Sequence, residues 1–267
     1  MTQMLACAVA FFRRDAQLAV SYPFAFVMGL LSTLARVGVL WLPAQLLQGS
    51  EMFDQHGGFL PFAVVGTATM GFYTASYGGF SSAVRSEQGM GTLESVLMTR
   101  ANVISIVVGS CSWTMSRAML DTALIVGGSM FFFGLQFPGS WLAALIVILL
   151  TNLTFVGLGM CAAAFAVVYK RGDPFRPFVS GISYLLGGVI YPIEVLPGWV
   201  KVISEFLPIT HGSRALRGVF IQGLSLTDQA SDILALTAFA ALALPAGIIS
   251  FRLAIRQAQI DGTLLHY

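Results

Sequence analysis

From Trp141 to Val168 the chain reads WLAALIVILLTNLTFVGLGMCAAAFAVV, without one charged side chain. A helix rises 1.5 Å per residue and about 20 residues cross the roughly 30 Å hydrocarbon layer, so this run reads as a membrane span. Moving outward, the pattern recurs. Apolar stretches run from Phe24 to Leu47, Phe59 to Phe80 and Ile104 to Phe133 on one side, and from Phe178 to Tyr191 and Ile233 to Phe251 on the other. Lipid offers no hydrogen bonds, so each segment must satisfy its own amides as a helix. The expected fold class is all-α: a polytopic membrane protein of six transmembrane helices in a single domain, 1–267, with a short fifth span.

Composition removes the alternatives. The 267 residues are 57% hydrophobic and only 10% charged, and mean hydropathy is +0.82. A soluble domain carries about 25% charge, so too few charges remain to coat one. The net charge of +2 comes with two lysines and no basic tract, leaving no electrostatic footprint for nucleic acid. Cys7, Cys111 and Cys161 are far apart in apolar sequence and draw neither a disulfide frame nor a CxxC site. Apolar residues precede Arg13 and Arg14, the reverse of a cleavable secretory signal, so the N-terminus is expected to stay in the mature protein.

Cytoplasmic loops hold the excess of Lys and Arg. With both termini inside, the inner segments hold Arg13, Arg14, Arg85, Arg100, Lys170, Arg171, Arg176, Arg252 and Arg256, against Lys201, Arg214 and Arg217 outside. Both ends are therefore expected to face the cytoplasm. Before the first span, Leu5, Val9, Phe12, Ala16 and Val20 recur at helical spacing. Residues 1–22 thus read as an amphipathic helix on the inner membrane surface, the alternative being a frayed polar tail.

Chemistry is scarce. No GxxxxGK[ST] phosphate cradle exists, since neither lysine follows a glycine. His56, His211 and His266 sit apart with no neighbouring carboxylate at ligand spacing, so neither a metal nor a histidine-based reaction is expected, and His211 reads as a loop residue bonded to backbone. No nucleophile clusters with a base, which speaks against an embedded enzyme.

Two segments carry more information. The inner loop 81–102 contains Arg85, Glu87, Gly89, Gly91, Thr92, Leu93, Glu94, Val96, Leu97 and Arg100. Thr92 can cap a helix, Glu94 falls in its first turn where the dipole favours an anion, and Leu93, Val96 and Leu97 offer apolar contacts. Such a helix could plug a partner's groove, although composition alone favours a solvated loop. The second segment is GGVIYPIEVLPGW from Gly187 to Trp199, followed by LPITH from Leu207 to His211 and then Arg214.

The run EQGMGTLESVLMT from Glu87 to Thr99 resembles the cytoplasmic loop of the type-2 ATP-binding-cassette permeases, membrane subunits of many bacterial exporters. The 187–214 segment resembles that family's region around its fifth span, and the likeness covers essentially the whole length. It implies a working transporter of two permeases, identical or not, and two cytoplasmic ATP-binding subunits in the inner membrane. ATP and Mg would then act through the partner, with no cofactor bound by this chain. It further implies a coupling helix from about Thr92 to Met98 resting in the partner's cleft, an N-terminal helix against the same partner, and short outer helices re-entering the membrane within 192–231, where Pro192, Pro197 and Pro208 supply breaks.

Polar residues at depth are the other candidates. Arg36 lies about 20 Å along the helix from Pro23, where insertion costs on the order of 2.5 to 3.5 kcal/mol. Two readings stand for it: structural pairing, or a contact with cargo or gate. Arg117 differs: about 20 residues inward from Gln136 it falls near the inner boundary, where its stem can snorkel, and with Asp121 one turn away it reads as a local ion pair that lowers insertion cost, the alternative being a conformational latch. Asn152 reads as a bond to a neighbouring helix, and Thr67, Gly71, Ala75 and Gly79 as a smooth packing stripe. Tyr73 and Tyr77 stack with Phe80 at helical spacing, a stripe that reads first as packing and second as ligand contact. By the resemblance Tyr73, Tyr77 and Tyr184 border the translocation route, whose aromatic walls suit an amphipathic, lipid-linked, saccharide or drug-like cargo. The rival from another class is an ion- or proton-coupled secondary transporter. It would require titratable groups along the route, yet Asp121 is the one deep carboxylate and no repeated half is visible.

Overall fold

The computed structural model describes residues 2–47, 49–54, 57–89, 103–169 and 175–260. Every regular element among them is helical: α1 Thr2–Ser21, α2 Pro23–Leu46, α3 Glu51–Asp54, α4 Phe59–Gly89, α5 Val103–Phe133, α6 Trp141–Tyr169, α7 Phe175–Leu186, a 3-10 turn Ile193–Val195, α8 Gly198–Glu205, α9 Pro208–Phe220 and α10 Ala230–Ile260. Three of them, at Pro23–Leu46, Trp141–Val168 and Ala230–Ala258, are long and apolar enough to cross a membrane.

The uncharged helix α6 is the middle of the bundle. α6 packs against α10 on one side and α4 on the other, with α9 closing one end. Contact with α10 is backbone to backbone. A Cβ built on Gly157 would lie 2.5 Å from the carbonyl carbon of Ala243, and one on Gly247 would lie 2.9 Å from Cβ of Met160. No other residue type permits that approach, which is how small residues hold helices together without a hydrophobic drive from lipid. Around the crossing the buried set is equally small: Ala162, Ala163, Ala164 and Ala166. The bulky core lies in layers along α6. Phe80, Met160 and Phe251 pack at one end. Val37, Val64, Val147, Leu216, Val219 and Leu236 pack at the other, beside the α8–α9 hairpin.

α1 lies along α5 with its Phe12 ring edge-on to Trp113 at 5.5 Å. Val9, Leu18 and Val20 on α1 stay exposed. Pro23 opens α2 at a position where its missing N–H costs nothing.

Three expectations change. The polar stretch from Ser81 onward does not begin a loop: α4 runs on to Gly89 and carries Glu87 in its last turns. Serine and arginine leave the apolar layer without leaving the helix. The remainder of that segment, with Gly91, Thr92, Leu93, Glu94, Val96 and Leu97, lies outside the described residues. The fifth apolar helix stops at Leu186 rather than Tyr191. Gly188 turns the chain with φ +63, a left-handed conformation that suits glycine. Twelve residues rise about 18 Å, short of a bilayer. Finally, His211 is in a helix, because Pro208 starts α9 instead of ending a loop. The three prolines fall where breaks are needed: Pro192 before the 3-10 turn, Pro197 before α8 and Pro208 at the start of α9.

Candidate functional site

The first group of polar residues lies between α2 and α5. Arg117 Nε donates to Asp121 Oδ1 at 3.2 Å, one turn along the same helix. Thr33, buried on the facing side of α2, donates its hydroxyl to the same oxygen at 3.1 Å. The Arg117 guanidinium also sits 4.8 Å from the Phe26 ring centroid, with Gly29 beside it. One carboxylate thus satisfies a cation on its own helix and a hydroxyl on the next. Arg36, three residues beyond Thr33, is exposed and makes no hydrogen bond or ion pair among the described residues.

A second group is aromatic. Tyr73 and Tyr77 stack on α4 with centroids 5.5 Å apart, and Phe155 of α6 meets Tyr73 edge-on at 5.1 Å. Both tyrosines are buried within the chain, together with Val189 and Ile209. Beside them Ser76 donates to Asn152 at 2.6 Å, so Asn152 binds a neighbouring helix, as its sequence context suggests. Tyr184 projects from the exposed side of α7. Tyr73 therefore meets Tyr77, and Arg117 meets Asp121, whereas Arg36 and Tyr184 stand on separate exposed faces. In the small-residue stripe, Gly79 approaches Thr114 of α5, while Gly71 faces open space.

The third group, at the hairpin end, was hidden in the sequence. His211 Nδ1 lies 2.7 Å from Asp232 Oδ1 and Nε2 lies 2.9 Å from the Glu205 carbonyl. Both partners are acceptors, so both bonds form together only on a protonated ring. Burial works against that charge, but the bonds and the two carboxylates outweigh it and raise the histidine above its ordinary value. Arg214 bridges Glu205 and Asp232, reaching the latter at 3.1 Å. Asp232 is far along the chain from His211, and only the packing of α9 on α10 unites them.

Arg217, one turn further, is buried and donates to two carbonyls from different segments, Phe62 at 3.3 Å and Val189 at 2.9 Å. Its guanidinium stacks on the Phe62 ring, 3.4 Å from the centroid. Gly66 lacks the Cβ that would strike both Val189 O and this guanidinium. Burial lowers the arginine to about 9, the Glu194 charge opposing, so it remains a cation at neutral pH. A cavity of about 260 Å³ opens beside it, lined by Glu194, Arg214, Gln222 and Asp228 among others. Among the described residues no cluster of His, Cys, Asp or Glu could hold a metal ion, and Cys161 is a free thiol.

The described helices are uncharged or weakly charged and pack through glycine. In comparison with known proteins, residues 2–221 match the ABC-2 type transporter family. The chain belongs to that family. Among similar proteins, nodulation protein J of Rhizobium leguminosarum bv. viciae is 30% identical over 163 residues, 60% of this chain and 60% of that protein. Nodulation protein J of Sinorhizobium fredii is 28% identical over 190 residues, 68% of this chain and 70% of that protein. The inner membrane transport permease YadH of Escherichia coli is 26% identical over 176 residues, 66% of this chain and 68% of that protein. The alignment thus spans about three fifths of the first relative's length. An ABC-2 type transporter with three helices apolar enough to span is a multi-pass protein of the inner membrane.

Proposed function

We propose that this chain is the permease subunit of an ATP-driven exporter and forms, with a second permease, the route for an amphipathic cargo. The observation that carries the reading is the match to a transporter family along most of a chain that has no phosphate-binding cradle of its own. Energy must then come from a separate ATP-binding subunit, and ATP with Mg is bound there. The helix expected at 92–98 rests in that subunit, with Leu93, Val96 and Leu97 as its apolar contacts and Glu87, Gly91, Thr92 and Glu94 shaping its approach. ATP binding selects one access state and hydrolysis releases it, because a ligand shifts an equilibrium only through differential affinity.

The topology proposed is six spans with both termini in the cytoplasm, α4 and α5 crossing beside the three most apolar helices. α7 reaches only partway, and the α8–α9 hairpin completes the layer from outside; such irregular backbone survives at depth where protein covers it. Arg36 on α2 and Tyr184 on α7 face the route, and the packed pair Tyr73 and Tyr77 forms the wall behind.

The test is co-purification of the chain with the ATP-binding protein encoded beside it, then transport in vesicles. Changing Leu93 and Glu94 together to Ala should abolish ATP-dependent transport while leaving the permease folded. Transport by the chain alone, driven by an ion gradient, overturns the reading.

A further inference from the structure

We infer that the cargo is an anionic amphiphile and that Arg36 holds its anionic group; this rests on the placement of α2 along the route. α2 has 24 residues, Pro23 to Leu46, and Arg36 falls within two residues of its middle. At 1.5 Å per residue either end of the helix is about 15 to 20 Å away, too far for a side chain to snorkel to the headgroups. The exposed surface of α2 is largely apolar, with Val39 one turn above Arg36 and Leu31 and Leu42 further round the helix, while Ser32 stands one turn below.

Among the described residues no counter-charge is left for it. Of the twelve carboxylates in the sequence, Asp121 alone lies deep within an apolar stretch. Its oxygen already receives Arg117 and Thr33. Asp232, at the start of α10, is held by His211 and Arg214. Arg117 and Thr33 thus take up the one deep carboxylate, and Arg36, exposed three residues beyond Thr33, stands outside that group. A second copy of this chain would bring the same inventory and another Arg36, adding a cation instead of removing one. A charge at membrane depth is stable only against a partner or water, and what remains to supply the anion is the molecule that passes. A guanidinium fork matches phosphate, sulfate or carboxylate oxygens two at a time, and the exposed apolar surface of α2, with Val39 nearest, suits an alkyl tail.

The experiment uses the full chain in phosphatidylcholine nanodiscs with two probes of equal length, a pyrene-labelled alkyl phosphate and the corresponding alcohol. The native protein should prefer the phosphate by about tenfold, the worth of one charged hydrogen-bonding contact. Arg36→Gln should erase the preference and Arg36→Lys should keep part of it. Equal binding of both probes by the native protein, or a preference that survives Arg36→Gln, overturns the inference. So does loss of the preference when phosphatidylglycerol is added to the disc, which would make the site one for annular lipid. The underlying placement is read separately, by labelling Arg36→Cys in a background without the native cysteines using a membrane-impermeant thiosulfonate. Labelling without phosphate preference leaves the route standing and removes the anion; no labelling removes both.

Discussion

His211 shows how much of this molecule depends on groups that the chain order keeps apart. Its folded pKa lies above its ordinary value of 6.5, so its contribution to stability is fully present below that value and is lost as pH rises through the raised one. Melting of the protein in detergent, followed from pH 5.5 to 8.5, should show native and His211→Gln proteins well separated at the acid end and converging at the alkaline end. The groups facing the ring are Asp232, Glu205 and, through both, Arg214, and a parallel His211→Gln curve would mean that the ring carries no proton in the fold. A second residue-scale expectation concerns Asp121. Changing it to Asn leaves Arg117 without its partner and should cost about 1 to 2 kcal/mol, less than a fully buried pair because both side chains retain some exposure. Arg117→Gln added to it should recover part of the loss, which chemical denaturation of the single and double variants would measure. The Arg117–Asp121 spacing could be read from sequence because one helical turn brings such residues together whatever the fold. The partnership of His211 with Asp232 and the anchoring of Arg217 could not, since nothing local announces that α9 will lie on α10 and α4.

At the scale of elements, hydropathy located the apolar layer better than it located helix ends. The stretches expected from Ile104 to Phe133 and from Trp141 to Val168 match α5 and α6 to within a residue, and α5 stops where Gly134 turns the chain with φ +65. α4 overran its expected end at Phe80 because Ser81, Ser82 and Arg85 are acceptable helix residues, and Ser81 and Ser82 bond back to the carbonyls of Gly78 and Gly79. The fifth apolar run is short in the sequence, and the pair Gly187–Gly188, with Gly188 at φ +63, ends the helix sooner still. The α6–α10 crossing gives the sharpest element-scale prediction. Gly157→Val puts a side chain into the backbone of α10 and should cost about 3 kcal/mol or more, seen as lost monodispersity and a lowered melting temperature. Gly71→Ala, where a Cβ meets nothing within 4 Å, should be neutral or slightly stabilising by helix propensity.

For the whole molecule, the contacts divide the helices unevenly. α4, α6, α9 and α10 share the glycine crossings, the buried layers and the hairpin bonds, whereas α2 rests on α4 and α5 by one edge and leaves most of its circumference uncovered. A second permease should therefore seat against α2, and cysteine pairs placed on its exposed edge should cross-link between copies. Failure of such pairs, with cross-linking through α10 instead, would move the proposed route to another face. The guanidinium of Arg217 sharpens this division. By gripping carbonyls on either side of α9 it acts as a rivet through three segments, so the hairpin and α4 must travel together in any cycle. Spin labels on α4 and α9 should keep a fixed separation whether nucleotide is present or absent, and the stroke that admits or releases the passenger must take place across the loosely seated edge of α2.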